Sequence, residues 1–165
     1  MNRPEGVHMA AETTLEPFTV NVRIKISALW TSMLFVFAYV DLFSLYRRDF
    51  RADLEAGEVD GFTINQWFLL GTTVYVVIPS LMVFVALILR PRASRIANIT
   101  LGIVYALTII AGAIGEWGYY ILGSAIEVAL LAAIVYYAWT WPRQARSAST
   151  TGGERTAHDI QPTGP

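Results

Sequence analysis

The sequence predicts an all-α fold, a polytopic membrane protein whose four transmembrane helices form a compact bundle, with a short outer amphipathic helix between spans 1 and 2. Three observations predict it. The chain is 55% hydrophobic and only 15% charged, far from the average of soluble domains. Its apolar residues collect in four blocks, about 26–46, 65–89, 96–115 and 119–141, each near the roughly 20 residues that cross about 30 Å of hydrocarbon as helix. Aromatic residues mark the block ends: Trp30 near the inner end of the first, Tyr46 and Trp67 near outer ends, Trp117, Tyr119 and Tyr120 at the last outer turn, and Trp139 and Trp141 at the inner exit. Such belts sit at membrane–water interfaces.

At 165 residues the chain is one domain by length. Residues 1–22 contain Pro4, Gly6, Glu12, Glu16 and Pro17 and no apolar h-region, so they read as a flexible segment and not as a cleavable signal peptide. The transmembrane domain covers 23–142. Residues 143–165, rich in Ser, Thr, Gly and Pro, read as a disordered tail.

Four spans put both termini on one side. That side carries Arg3, Arg23, Lys25, Arg90, Arg92, Arg95, Arg143, Arg146 and Arg155, whereas the other has only Arg47, Arg48 and Arg51. The positive-inside rule therefore puts the termini in the cytoplasm. The same bias argues against a dual-topology dimer, which needs balanced loops.

The stretch Val20–Ile26 alternates apolar and polar, but a lone strand beside a membrane has no partner, so it reads as the interfacial lead into the first helix. In the loop after the first span, Phe50 with Leu54 and Arg51 with Glu55 are i,i+4 pairs, the marks of a short surface helix. A turn from Gly57 to Gly61 ends it. Thr63-Ile64-Asn65-Gln66 fits a capping box that starts the second span. Arg90-Pro91-Arg92 ends that span, Ser94 is placed to cap the third, and Pro142 follows the fourth. Pro79, inside the second span, frees a main-chain carbonyl and permits a hinge.

The polar residues inside the spans carry the functional question. An ionised carboxylate near the bilayer centre costs about 2.5–3.5 kcal/mol on insertion scales, so Glu127 is expected to face the bundle interior or to hold its proton. It lies about eight residues, roughly 12 Å, below the outer aromatics. Asp41 and Glu116 also fall in the outer half, the grouping that an acidic pocket open to the outside would need.

Helical phase extends the candidate site. Asn98, Gly102, Tyr105, Ile109, Gly112 and Glu116 share one face of the third span, and Tyr120, Ser124, Glu127 and Ile134 one face of the fourth. Ser27, Trp30, Leu34, Phe37, Asp41 and Ser44 align on the first. Gln66, Thr73 and Ser80 recur every seven residues on the second. The simplest packing turns all four stripes inward. Ala111-x-x-x-Gly115, Gly102-x-x-x-Ala106 and Ala125-x-x-x-Ala129-x-x-x-Ala133 suit close contact between the third and fourth spans.

Two functional readings follow. In the first, Asp41 and Glu127, with Glu116, Asn98, Gln66, Tyr105 and Ser124 around them, bind or transport a proton, a cation, or the cationic part of a small or lipid-like ligand. In the second, the chain is a structural or accessory subunit whose polar residues only hold helices together or bind another membrane protein. Each acid then has a plain role: Glu127 bonded to a neighbouring hydroxyl or tyrosine, Asp41 paired with Arg47 or Arg48, Glu116 interfacial. Catalysis comes third, because the sequence holds no Gly-x-Ser-x-Gly, His-Glu-x-x-His, P-loop or dinucleotide fingerprint. His8 and His158 fall in the terminal segments, and there is no cysteine, which excludes thiol redox chemistry. No cofactor and no metal are expected. A net charge of −1 makes no case for nucleic acid.

The motifs "ISALW", "YVDLFSLY", "GFTINQWFLLG", "IPSLMV", "RASRIANI" and "IEVALLAAIVYYAWTW" together resemble a family of small bacterial four-helix membrane proteins of unknown function, over about Lys25 to Trp141. The resemblance implies a bacterial inner-membrane protein in which Asp41, Pro79, Asn98 and Glu127 stand at positions the family pattern also marks. It implies no activity.

Overall fold

A computed structural model describes residues 20–59 and 61–141. The expectations for the flexible 1–19, for the 143–165 tail, and for His8, His158 and Pro142 lie outside the described residues. Five helices follow in order: α1 (Val22–Ser44), α2 (Arg48–Ala56), α3 (Gln66–Ile88), α4 (Pro91–Gly112) and α5 (Gly118–Trp139). All but α2 are long and apolar enough to cross a membrane. Between α2 and α3 the chain forms a two-residue antiparallel ribbon, β1 (Glu58–Val59) with β2 (Phe62–Thr63), where the sequence suggests only a turn.

Helix ends follow local chemistry, with two departures from expectation. The side chain of Asn21 accepts the amide of Arg23, so α1 starts at Val22 and absorbs most of the alternating lead. Gly57, in the left-handed region at φ 81°, closes α2. Asn65, not Thr63, caps α3 by accepting the Phe68 amide at 3.0 Å; Thr63 pairs with Glu58 in the ribbon and lies before the cap position, because the helix begins only at Gln66. Ser94 does not cap α4 either. That helix starts three residues earlier, at Pro91, whose fixed φ and missing N–H suit a first helical position. Ser94 is left fully buried inside the bundle.

The four long helices run up and down as a ring: α1 packs on α3 and α5, α5 packs on α4, and α3 meets α4 only lightly. Their core is Ile26, Trp30, Met33, Met82, Ala86, Tyr105, Ile109, Leu131, Ile134 and Ala138. Small residues set the closest approaches. A Cβ on Gly123 would run into Val40 of α1, and one on Gly102 would stand 2.9 Å from the Val135 side chain of α5. The expected alanine seam on α5 has a different place, since Ala125 and Ala129 are exposed and Gly102 with Leu131 makes the α4–α5 contact.

Burial also corrects two stripes. On α3 the buried residues are Pro79, Met82 and Ala86, while Gln66, Thr73 and Ser80 are exposed. The hydroxyls of Thr73 and Ser80 each donate 2.8 Å bonds to carbonyls of their own helix, Leu69 and Val76, so neither needs the interior. On α1 the buried side is Ile26, Trp30, Met33, Val40 and Ser44, which leaves Asp41 exposed at its edge.

Candidate functional site

The polar side chains in the bundle fall into layers. The layer toward the chain termini is built on Asn98. Its side-chain carbonyl accepts the Trp30 indole N–H at 2.7 Å, and its amide donates to the Ser94 carbonyl at 2.7 Å and hydroxyl at 3.2 Å. Ser94 in turn donates to the Ala86 carbonyl of α3 at 3.5 Å. Trp30, Ser94 and Asn98 are all 0% exposed. Three helices are thus tied by one satisfied network, the arrangement a buried polar group requires. Trp30, expected in an aromatic belt, is a core residue because Asn98 supplies the acceptor that its indole needs away from water.

Next comes an aromatic layer. Pro79 has no amide hydrogen, so the carbonyl four residues earlier, on Tyr75, lacks its helical donor. The Tyr105 hydroxyl donates to that carbonyl at 2.6 Å. The Tyr75 and Tyr105 rings lie 4.7 Å apart, Trp30 meets Tyr105 edge-on at 6.2 Å, and Phe37 flanks Tyr75 at 6.1 Å. The Tyr75 hydroxyl shares a 2.7 Å bond with Thr108.

Glu127 lies beyond this layer, toward the α2 end. It is 2% exposed, with Ser124 buried one turn away on the same face of α5. Asp41, on α1, interacts with it electrostatically, and both carboxyl groups act on Tyr75 of α3. Of the candidate residues, Glu127, Asp41, Ser124 and, through Tyr75, Tyr105 come together. Asn98 does not, because it is spent on Trp30 and Ser94. Gln66 is exposed in the first turn of α3.

Glu116 is also separate. It follows α4 and forms a 2.6 Å ion pair with Arg47, which pairs at 2.6 Å with Asp49 as well. The Arg47 guanidinium stacks 4.8 Å over Trp117, and Ser44 and Tyr119 share a 2.9 Å hydroxyl bond alongside. Asp49 first, and Glu116 after it, hold the Arg47 guanidinium charged, above its already high ordinary value. Arg47 holds the Asp49 carboxyl below the usual carboxylate range. This cluster locks the α1–α2 corner to the α4–α5 corner. The carboxylate partners of Arg47 are therefore Asp49 and Glu116.

Tyr75 is the residue that sequence reasoning passed over, and Arg47 enters it only as a partner of Asp41. Tyr75 had a signal, since it stands four residues before Pro79 and owns the freed carbonyl. The pairing of Arg47 with Glu116, separated by 69 residues, had none. At the opposite end, Arg23 donates to the Leu87 carbonyl at 2.6 Å, closing the C-terminus of α3, and Arg23, Lys25 and Arg95 stack over Trp141, Tyr137 and Trp139.

Two cavities accompany these layers. A groove of about 480 Å³ runs between α4 and α5, and a void of about 10 Å³ lies between Phe37, Tyr75 and Pro79. Neither includes Asp41 or Glu127. No curated protein and no solved structure matches the chain. A family model does, over residues 17–148, and the chain belongs to that family of unknown function, DUF6326.

Proposed function

We propose that this multi-pass membrane protein takes up a proton or small cation at Glu127, reached past Asp41 from the α2 end. One observation carries the reading: a carboxyl group 2% exposed inside a four-helix bundle stands in electrostatic reach of a second carboxyl that is exposed nearer the helix ends. Removing a carboxylate from water is costly, so its retention inside an apolar bundle points to a use for its charge or its proton. Ser124 is buried one turn away on the same face of α5, and the cationic part of a small or lipid-like ligand fits the same chemistry. The termini face the cytoplasm in this reading, in keeping with Arg23, Lys25 and Arg95 docked over aromatics at their end. Asp41 then opens toward the outer side.

A second reading has its own support. Glu127 is buried within the bundle, as befits a carboxyl that holds its proton and only joins helices, in a structural or accessory subunit. Carboxyl infrared difference spectra of the bilayer-embedded protein across pH, with Glu127→Gln as the reference, separate the two. Ion or proton uptake requires a Glu127 band that titrates and that Asp41→Asn displaces. A band that stays protonated throughout sinks the uptake reading and establishes the packing role.

A further inference from the structure

We infer that the groove between α4 and α5 seats an acyl chain of an anionic phospholipid, with the headgroup phosphate on Arg95. This rests on the four helices spanning a bilayer and is independent of Glu127. The groove holds about 480 Å³ and is lined almost wholly by apolar side chains. Its floor is low because Gly102 has no side chain where α4 meets Leu131 and Val135, and its walls are the exposed Leu107, Tyr136 and Trp139. Along α5 it extends from Val128 to Thr140, roughly 18 Å at 1.5 Å per residue. That is about the depth of one leaflet of a ~30 Å hydrocarbon core.

Charge selects the occupant. Trp139, at the terminal end of the groove, carries the Arg95 guanidinium 5.5 Å above its ring. Arg95 precedes Gly102 by seven residues and so shares its face of α4, with exposed Arg92 nearly one turn further out. The ion pairs among the described residues do not engage Arg95. An apolar slot of leaflet depth that ends at a cation matches a chain below an anionic headgroup. A second copy packed here about a parallel two-fold axis would bring its own Arg92 and Arg95 to the same end, where like charges repel.

The test is native mass spectrometry of the full chain released from micelles containing phosphatidylglycerol or phosphatidylcholine. Phosphatidylglycerol should be retained about fivefold more strongly for each cation engaged. Arg95→Gln should bring the two lipids toward parity, and Arg95→Lys should keep the preference. Ala132→Phe, which fills the slot from an exposed position, should weaken retention of both lipids, with far-UV circular dichroism verifying the helices. Equal retention of both headgroups overturns the proposal, as does a phosphatidylglycerol preference that Ala132→Phe leaves undiminished. Lipid-free dimers that Ala132→Phe abolishes would instead assign the groove to a second copy.

Discussion

The Tyr105 hydroxyl donates to the main-chain carbonyl of Tyr75 at 2.6 Å, and that carbonyl is the one Pro79 deprives of its helical partner. A side chain of α4 thereby completes the hydrogen bonding of α3, although the two helices otherwise meet only lightly. The break at Pro79 is pinned, and any hinge motion there must first release Tyr105.

Removing the Tyr105 hydroxyl should therefore matter only while Pro79 is present. Tyr105→Phe is expected to cost about 1 kcal/mol, the scale of an interhelical hydrogen bond in a membrane. In a Pro79→Ala background, where residue 79 regains an amide donor, the same change should cost well under half of that. A double-mutant cycle of unfolding in mixed micelles reads the coupling, and additive effects would contradict the pairing.

The Asn98 network should be the more sensitive one, because all its members are fully buried. Asn98→Leu strands the Trp30 indole N–H away from water, for a loss of about 1–3 kcal/mol. Adding Trp30→Phe removes the orphaned donor and should recover part of the loss. The same micelle unfolding assay checks this, with Trp30 indole vibrational bands reporting the broken bond.

The α1–α5 contact depends on Gly123. A methyl group there collides with Val40, and overpacking of this kind costs about 1–3 kcal/mol. Val40→Ala in the same chain should restore most of the stability. If Gly123→Ala proves neutral in thermal unfolding, the close approach of the two helices is wrong.

The Arg47 cluster predicts an acid response at the α2 end. Asp49 has a folded-state value below its unfolded one, so its stabilisation is present above the unfolded-chain value of about 3.9 and is lost as pH falls through the folded-state value. Hydrogen exchange across Arg48–Ala56, corrected for intrinsic rate, should rise below about pH 4. Arg47→Gln should produce the faster exchange already at neutral pH and flatten the acid dependence.

Sequence alone determined the number of long helices, their approximate limits, the inward faces of α4 and α5, and the proline that opens α3. Each is a local property: apolar length and a periodicity of 3.6 are written within one helix. Tertiary structure decided the rest. Gln66, Thr73 and Ser80 form a regular stripe yet face outward: the hydroxyls of Thr73 and Ser80 are bonded to their own helix and so are indifferent to burial, lipid is as apolar as the core, and Gln66 stands exposed in the first turn. Asparagine at position 98 could be recognised as a polar residue in need of a partner, but only packing supplied Trp30, 68 residues away. Glu116 shares the vertical level that suggested one acidic pocket, and packing gave it instead to Arg47. Partner choice between helices depends on which surfaces fit closely, as at Gly123 against Val40, and no local pattern encodes that fit.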